Sequence, residues 1–382
     1  MLKKIYFSLM LLAFLSSCKK SNQPEAVAKV ELNFPSAYFT ELSLVGKANA
    51  SPVIMDKLIA MIDATPKNAS INLAIYGFSH QGIIEALKRA SIRGVKLYLL
   101  IDYSLTETQD ENRPTVIAIR SFLNSDSEVL TVKNDATASS IQHCKFVLFS
   151  ELNTQNGLVK DVVFSTSHNF NIADSKKIQD AIVLNQPALY QAFLTYFNEV
   201  KSRAASGMKN YSYQQFIDEK NGLEAQFYPK RKNGVALGDD SVIELLDGIT
   251  EPSTATVRVG MSDWTVSRLN VVNKLQDLAN KGAKVEVIAK SKADAGILAG
   301  LENLRKSGAF VKVYNISQTN IHSKFFMIEG KWKGVQAKVL ATGSHNLTGN
   351  ALRNNNEVLL ILKNYNTLYD SYVNYYDEMK KL

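Results

Sequence analysis

One order of segments occurs twice in this sequence, and that repetition constrains the fold more strongly than any other feature. A strand-like run at 71–79 is followed by a helical pattern, a turn at Gly94 and a second apolar run. A strand-like run at 255–261 is followed by a helical pattern, a turn at Gly282 and another apolar run. Strands that alternate with helices usually lie parallel in one sheet with the helices packed on its faces. Each copy therefore predicts a mostly parallel mixed sheet flanked by helices.

The correspondence continues downstream, where each copy supplies three further short strand-like runs and a closing amphipathic helix. The runs lie at 143–150, 161–167 and 179–184 in the first copy and at 321–328, 337–344 and 356–362 in the second. The closing helices are predicted near 187–204 and 365–381. The sequence therefore predicts an α/β fold of two similar halves, 35–206 and 236–382, joined by an interdomain crossing at 207–235.

The first residues are typical of an export signal. Lys3 and Lys4 precede an apolar stretch that is too short to cross a bilayer as a stable helix. The stretch ends in Leu-Ser-Ser-Cys18, which resembles a bacterial lipobox; a chance cysteine after an ordinary signal peptide is the alternative. We expect a lipoprotein signal peptide at 1–17 and a flexible tether at 18–34. The protein would then be lipid-anchored through Cys18 in a bacterial cell envelope, at the outer membrane or cell surface.

The charge and cysteine content narrow the expected partners. Lysine plus arginine exceed aspartate plus glutamate by eight, which favours anionic partners such as phosphate esters, nucleic acids or acidic lipid surfaces. The chain has two cysteines, so Cys144 has no partner if Cys18 is lipidated, and no internal disulfide is expected.

Four of the five histidines fall at paired positions in the repeat. Each half carries an H-x-K motif, then a Ser-His-Asn motif, and then a carboxylate eleven residues after the asparagine. The candidate site residues are His143, Lys145, Ser167, Asn169 and Asp180 in the first half and His322, Lys324, Ser344, Asn346 and Glu357 in the second.

These residue types suit a phosphate better than a metal ion. Residues two apart in a strand point to the same face, so each histidine lies beside its lysine. The ammonium groups would repel a cation, and the sequence contains neither an H-E-x-x-H motif nor clustered cysteines. Lysine supplies charge to a phosphate, asparagine and serine supply hydrogen-bond donors, and histidine can attack phosphorus or transfer a proton.

The two motif pairs resemble the phospholipase D superfamily, whose pattern is H-x-K-x4-D followed downstream by G-S-x-N. The resemblance implies two halves about a pseudo-twofold axis with both motifs in one site that needs no metal or cofactor. It implies that one histidine, His143, forms a phosphohistidine and that the other, His322, protonates the leaving oxygen; symmetry leaves the reverse assignment open. The lysines and asparagines would hold the non-bridging oxygens, Asp180 and Glu357 would fix the imidazole tautomers, and Ser167 and Ser344 would line the site.

The sequence departs from this pattern at three positions. Ser150 and Glu329 stand where each motif has Asp, and Thr166 stands where the first G-S-x-N has Gly. The motif Asp would lie on the strand face opposite the histidine, so its loss affects support more than chemistry.

Two residues outside the motifs are candidates for substrate contact. His80 and Trp264 follow the first strand of each half, where α/β ligand loops gather. His168 and His345 alternate with residues that face the site and should point away from it.

Three functions are compatible with the sequence. A monomeric phosphodiesterase acting on phospholipid is favoured by the predicted lipid anchor and the resemblance. A nuclease would use the same residues on DNA or RNA, and the basic charge suits it. A non-catalytic protein that binds anionic lipid is suggested by Ser150 and Thr166.

Overall fold

The computed structural model describes residues 27–382, so the predicted signal peptide, Cys18 and the first part of the predicted tether lie outside the described residues. Within that part of the chain, no helix is both long and apolar enough to cross a membrane. Val30 is buried and its backbone N–H donates to Asn153 O at 3.0 Å, so the end of the predicted tether packs against the first half.

The first half consists of one seven-stranded sheet and four α-helices. Its strands are β1 (Ser36–Phe39), β2 (Ser70–Ile75), β3 (Lys96–Asp102), β4 (Glu128–Val132), β5 (Phe146–Thr154), β6 (Gly157–Thr166) and β7 (Asp180–Asn185). Its helices are α1 (Val53–Asp63), α2 (Gln81–Ile92), α3 (Arg113–Arg120) and α4 (Pro187–Arg203). The sheet order is β1-β7-β6-β5-β2-β3-β4.

The second half repeats this plan, with two strands from the predicted crossing at one edge of its large sheet and a further small hairpin. Its strands are β8 (Gln214–Asp218), β9 (Leu223–Phe227), β10 (Arg231–Lys232), β11 (Val235–Ala236), β12 (Thr256–Met261), β13 (Lys284–Lys290), β14 (Phe310–Tyr314), β15 (Lys324–Trp332), β16 (Val335–Gly343) and β17 (Val358–Lys363). Its helices are α5 (Ser241–Asp247), α6 (Leu269–Asn280), α7 (Ala295–Lys306), α8 (Gly349–Arg353) and α9 (Asn366–Met379). The large sheet runs β14-β13-β12-β15-β16-β17-β9-β8, and β10 and β11 form a separate hairpin.

The predicted α/β class is confirmed, with two mixed sheets flanked by helices and a closing helix in each half. Among the strands of the described residues, parallel pairs are confined to β2-β3-β4 and β12-β13-β14. Antiparallel pairs therefore outnumber parallel ones, where mostly parallel sheets were expected. The reason lies in the connections: β5 and β6 are joined by a tight turn, as are β15 and β16, and a short hairpin can join only antiparallel strands.

The central strands are apolar on both faces because helices cover both sides of each sheet. In β5, Phe146 and Leu148 face a core shared with the second half, whereas Val147 and Phe149 face the outer helices of the first. The shared core also contains residues of α4, α9 and β15. The two halves are therefore joined by buried hydrophobic surface, which holds their facing strand ends in one arrangement.

Candidate active site

The segments that carry the two H-x-K motifs each pair with the opposite half. His143 N donates to Asn356 O at 2.9 Å, just before β17, and His322 N donates to Ile178 O at 2.8 Å, just before β7. These two hydrogen bonds place the start of each motif strand, β5 or β15, against the sheet of the other half. His143 and His322 consequently lie in one interface, and the side chain that supports each imidazole comes from the other half.

His143 is supported by a carboxylate of the second half. Its Nδ1 lies 2.8 Å from Glu357 Oε1 and 2.9 Å from Oε2. Glu357 is fully buried and also accepts a hydrogen bond from Ser344 Oγ at 2.5 Å. Because the carboxylate can only accept, His143 carries a proton on Nδ1, which leaves Nε2 as its reactive nitrogen. Burial lowers the pKa of His143 below its usual range, and the charge of Glu357 opposes that effect.

His322 has the same geometry with a neutral partner. Its Nδ1 lies 3.1 Å from Ser167 O and 3.1 Å from Gln179 Oε1. Ser167 Oγ donates to Gln179 Oε1 at 2.8 Å, as Ser344 does to Glu357. Burial and the charge of Lys324 hold the pKa of His322 well below its usual range. The two imidazoles thus have one geometry and different electrostatics.

The prediction that Asp180 is the counterpart of Glu357 was wrong. Ser167 N donates to Asp180 O at 3.0 Å and Ser344 N donates to Val358 O at 3.0 Å, so Asp180 matches Val358. The loop after Asn169 is one residue shorter than its counterpart, so equal spacing misaligns the halves. The Asp180 carboxylate instead accepts hydrogen bonds from Thr342 at 2.6 Å and Tyr372 at 2.7 Å, across the interface between the halves.

The two motif lysines bring positive charge into a buried site. Each is 1% exposed, and each donates to the backbone carbonyl of its own motif histidine. Burial lowers the pKa of Lys145 to about 8, with Glu357 acting in the opposite direction. Burial, reinforced by the charge of Lys145, lowers the pKa of Lys324 to about 7. Two ammonium groups that destabilise each other in this way favour the binding of an anion between them.

Lys324→Met should stabilise the fold while removing this charge. The pKa of Lys324 is about 7 in the native state and near 10.5 in an unfolded chain, so the wild type gains stability as pH rises through that window. We expect the variant to be about 1 to 3 kcal/mol more stable below pH 7, with the difference shrinking towards pH 10.5. Urea unfolding at pH 6 and pH 10 measures this.

Lys331→Met is the matched control, because Lys331 is on the same strand with its side chain 48% exposed. Its stability should stay within about 0.5 kcal/mol of wild type at both pH values. A Lys324→Met protein less stable than wild type at pH 6 would contradict the proposed cost of the buried charge.

The two motif asparagines are oriented by backbone N–H groups of the loops after β2 and β12. Asn169 Oδ1 accepts from Gly77 N at 3.2 Å, and Asn346 Oδ1 accepts from Asp263 N at 3.3 Å. Both side chains are 8% exposed. With the oxygen fixed in this way, the Nδ2 group is the donor that each asparagine can offer.

Two residues of this site were not predicted, Gln179 and Asp174. Asp174 Oδ2 accepts hydrogen bonds from Asn169 N at 3.1 Å and Asn169 Nδ2 at 2.8 Å, and lies 3.9 Å from His322 Nδ1. Gln179 precedes the residue that equal spacing selected. An alignment of the strand starts, in place of a count from the asparagine, would have found it.

The remaining histidines of the Ser-His-Asn motifs point away from the site, as predicted. His168 is bonded through Nδ1 to Asn169 O and through Nε2 to Ser175 Oγ at 3.0 Å. His345 Nε2 lies 3.2 Å from Arg268 Nη1, and its ring stacks on Tyr228 with centroids 4.5 Å apart.

The two candidates outside the motifs have different outcomes. His80 caps α2, where Nδ1 accepts from Ile83 N at 3.4 Å, and it is partly exposed beyond the end of β2. Contact between His80 and a substrate stays a prediction. The substrate contact predicted for Trp264 was wrong: the residue is 1% exposed, and Nε1 donates to Arg268 O at 3.2 Å within the core of the second half.

The departures from the motif pattern have local explanations. A Cβ on Gly343 would lie 2.2 Å from Val358 O, so the second half requires glycine there. At the equivalent position Thr166 does not have the positive φ of Gly343, so a Cβ fits, and its hydroxyl donates to Asp180 O at 2.6 Å. Ser150 Oγ accepts from Ser70 N at 2.8 Å and so supports the contact between β5 and β2. Among the described residues, no cluster of His, Cys, Asp and Glu is arranged to hold a metal ion.

Comparison with known proteins agrees with this geometry. The family described as "Cardiolipin synthase, PLD-like domain" matches residues 58–201 and 247–380, one match in each half. These matches cover most of the chain, which therefore belongs to the phospholipase D superfamily. The fold and paired motifs define an enzyme of the phosphodiesterase or phosphotransferase type. No curated protein sequence matches the chain.

Two solved structures show the same fold. Phosphatidylserine synthase from Haemophilus influenzae superimposes with a TM-score of 0.58 at 14% identity, over 86% of this chain and 84% of that one. Polyphosphate kinase from Porphyromonas gingivalis gives 0.52 at 11% identity over 87% of this chain, which spans only 47% of the kinase. Nuc, a phospholipase D family member from Salmonella typhimurium, is 26% identical over 44% of this chain and 95% of its own, with a TM-score of 0.32.

Proposed function

We propose that this protein is a metal-independent phosphodiesterase that hydrolyses a phospholipid phosphodiester through a phosphohistidine on His143. The proposal rests on the different partners at Nδ1 of the two imidazoles, which lie in one site with two buried ammonium groups. His143 contacts the carboxylate of Glu357, whereas His322 contacts the neutral amide of Gln179.

The unequal support assigns the two histidines to different steps. Phosphorylation of Nε2 turns a neutral imidazole that already carries a proton on Nδ1 into a cation, and a carboxylate at Nδ1 stabilises that cation. His143 is therefore the nucleophile. His322, whose pKa is held well below the usual range, is a strong acid once protonated and suits protonation of the leaving oxygen.

The reaction then proceeds in two displacements. His143 Nε2 attacks phosphorus, the bond from phosphorus to the leaving oxygen breaks, and His322 transfers its Nε2 proton to that oxygen. Water next attacks the phosphohistidine while neutral His322 accepts its proton, and the phosphorus–nitrogen bond breaks. The products are an alcohol and a phosphate monoester, and both histidines return to their starting protonation states.

The lysines and asparagines stabilise the charge that develops in both steps. Lys145 and Lys324 supply two ammonium groups that are each 1% exposed, so solvent screens their attraction for the non-bridging oxygens only weakly. Asn169 and Asn346 supply amide donors held in place by backbone contacts.

Phospholipid is the proposed substrate class because the matching family is described by the name of a cardiolipin synthase. The Leu-Ser-Ser-Cys18 sequence, as a proposed lipid anchor, would place the enzyme at a membrane. To test the substrate, the full chain is incubated with EDTA and vesicles of phosphatidylcholine or cardiolipin, and separately with single-stranded DNA. Release of phosphatidic acid supports the proposal, whereas cleavage of DNA alone would replace it with the nuclease.

The rate should depend on pH with its maximum on the acid side of pH 6.5. Burial lowers the pKa of His143, and burial with the charge of Lys324 lowers that of His322, so both limbs of a kcat/KM profile move to lower pH. Loss of the proton from Lys324, whose pKa is about 7, adds a further decrease above neutrality. A soluble phosphodiester assayed from pH 4 to pH 9 measures the profile. A maximum at pH 8 or above would contradict these assignments.

A further inference from the structure

A buried carboxylate in the first half has no counterpart in the second. Asp174 follows Asn169 by five residues, and the residue five after Asn346 is Ala351. Asp174 is 2% exposed and lies in a short 3-10 turn between the Ser-His-Asn motif and β7. The first half has Gln179 at the position that corresponds to Glu357, and it is also the half that contains Asp174.

The contacts of Asp174 join two parts of the site. Oδ2 accepts from Asn169 N at 3.1 Å and from Asn169 Nδ2 at 2.8 Å, and lies 3.9 Å from His322 Nδ1. Oδ1 faces the ammonium of Lys177, whose side chain is 27% exposed. Nearby positive charge holds the pKa of Asp174 far below its usual range despite burial, so it is ionised.

We propose that Asp174 is a positioning residue. It provides His322 with the negative charge that Glu357 provides to His143 by direct contact. This inference rests on the proposed function, in which His322 must carry a proton before it can donate one. At 3.9 Å the carboxylate is too far from Nδ1 for a hydrogen bond. It stabilises the imidazolium through space, while Nδ1–H stays bonded to the neutral oxygens of Ser167 and Gln179.

This arrangement gives a stronger acid than a direct carboxylate contact would. A hydrogen-bonded carboxylate raises the pKa of an imidazole most, which helps a nucleophile but weakens an acid. A carboxylate one step removed raises it less. Because Asp174 also binds Asn169, one side chain aligns both a donor to the phosphate oxygens and the group that protonates the leaving oxygen.

The other charges around His322 set the direction of each expected change. Lys324, Lys177 and Lys145 all disfavour the imidazolium, and Asp174 favours it. Removal of the Asp174 charge should lower the pKa of His322, and removal of the Lys177 charge should raise it.

Three variants distinguish the electrostatic effect of Asp174 on His322 from its structural contact with Asn169. Asp174→Asn keeps an oxygen that can accept from Asn169, and Lys177, whose side chain is 27% exposed, can turn away from the new amide. Asp174→Asn with Gln179→Glu returns a carboxylate to His322 through the 3.1 Å contact at position 179. Lys177→Met leaves Asp174 in place without its cation. The pKa of His322 is measured by NMR titration of the imidazole signals in the substrate-free protein, with the signal assigned by His322→Asn.

We expect Asp174→Asn to lower the measured pKa by about one unit and Lys177→Met to raise it. The double variant should raise the pKa to the wild-type value or above it, because its new carboxylate contacts Nδ1 directly. The alkaline limb of kcat/KM should move in the same directions. An unchanged pKa in Asp174→Asn, with activity reduced equally at every pH, would show that Asp174 only holds Asn169 and would overturn the proposal. If Asp174→Asn does not fold, an unchanged pKa in Lys177→Met overturns it. Since the titration needs no substrate, absence of phosphodiesterase activity would refute the proposed function separately.

Discussion

A His143→Asn protein should lose phosphodiester cleavage by about four orders of magnitude or more while keeping its fold. Among the described residues, His143 has the only imidazole in the site whose Nδ1 contacts a carboxylate within hydrogen-bond distance, which leaves Nε2 free to attack phosphorus. Enzymes that lose their nucleophile lose rate on this scale. Steady-state rates with a p-nitrophenyl phosphodiester measure the loss. Thermal unfolding should show a midpoint near that of wild type, because the histidine is at the edge of the buried interface.

His322→Asn is the matched variant and should behave differently with the same substrate. A p-nitrophenolate leaving group needs no proton, so the first displacement should still occur and release one equivalent of product. Hydrolysis of the phosphohistidine should then stall because no base activates water. Intact-protein mass spectrometry should detect an acid-labile phosphoryl adduct in His322→Asn and none in His143→Asn. Detection of the adduct in His143→Asn instead would mean that His322 is the nucleophile and His143 the acid.

Glu357→Gln should lower kcat by about two to four orders of magnitude. The amide keeps the size of the side chain, but it can offer its NH2 group to Nδ1, which selects the wrong tautomer, and it cannot stabilise the phosphohistidine cation. The effect should fall on kcat more than on KM, because Glu357 is behind the imidazole and fully buried from substrate. Single-turnover measurement of adduct formation isolates the affected step.

Asp180→Asn is the control for that loss, since it changes a buried carboxylate of the same interface. Its carboxylate binds Thr342 and Tyr372 instead of an imidazole. We expect kcat within tenfold of wild type together with a lower unfolding midpoint. Equal losses in the two variants would mean that any buried negative charge, independent of its contact with His143, sustains the reaction.

The repeat in the sequence was sufficient to predict the two halves and five of the six strands that they share, whereas β4 and β14 were missed. Both H-x-K motifs and both asparagines were selected as candidates because their spacing recurs. Pairing direction was harder to predict, because apolar runs such as 146–149 do not distinguish parallel from antiparallel strands buried on both faces. The deciding signal was the short Gln-Asn turn after β5.

The residues that contact Nδ1 of each imidazole could not be predicted from their spacing after the asparagines, for a physical reason. Glu357 and Gln179 are brought to the site by the exchange between halves, which fixes strand starts, while the loops that precede them differ in length by one residue. Counting along the chain therefore selected Asp180. Trp264 was misplaced by the same uncertainty, since a shift of one residue at a strand end turns a side chain from the surface into the core.

The crossed pairing of the motif segments has a consequence for how the two copies of the repeat can diverge. Each imidazole is tuned by a residue encoded in the other copy, so a substitution in one half alters the chemistry of the histidine in the opposite half. The copies are then free to become unequal only in a coordinated manner. Separately expressed halves should each contain a histidine without its tuning partner, and activity should return only when the two fragments are mixed.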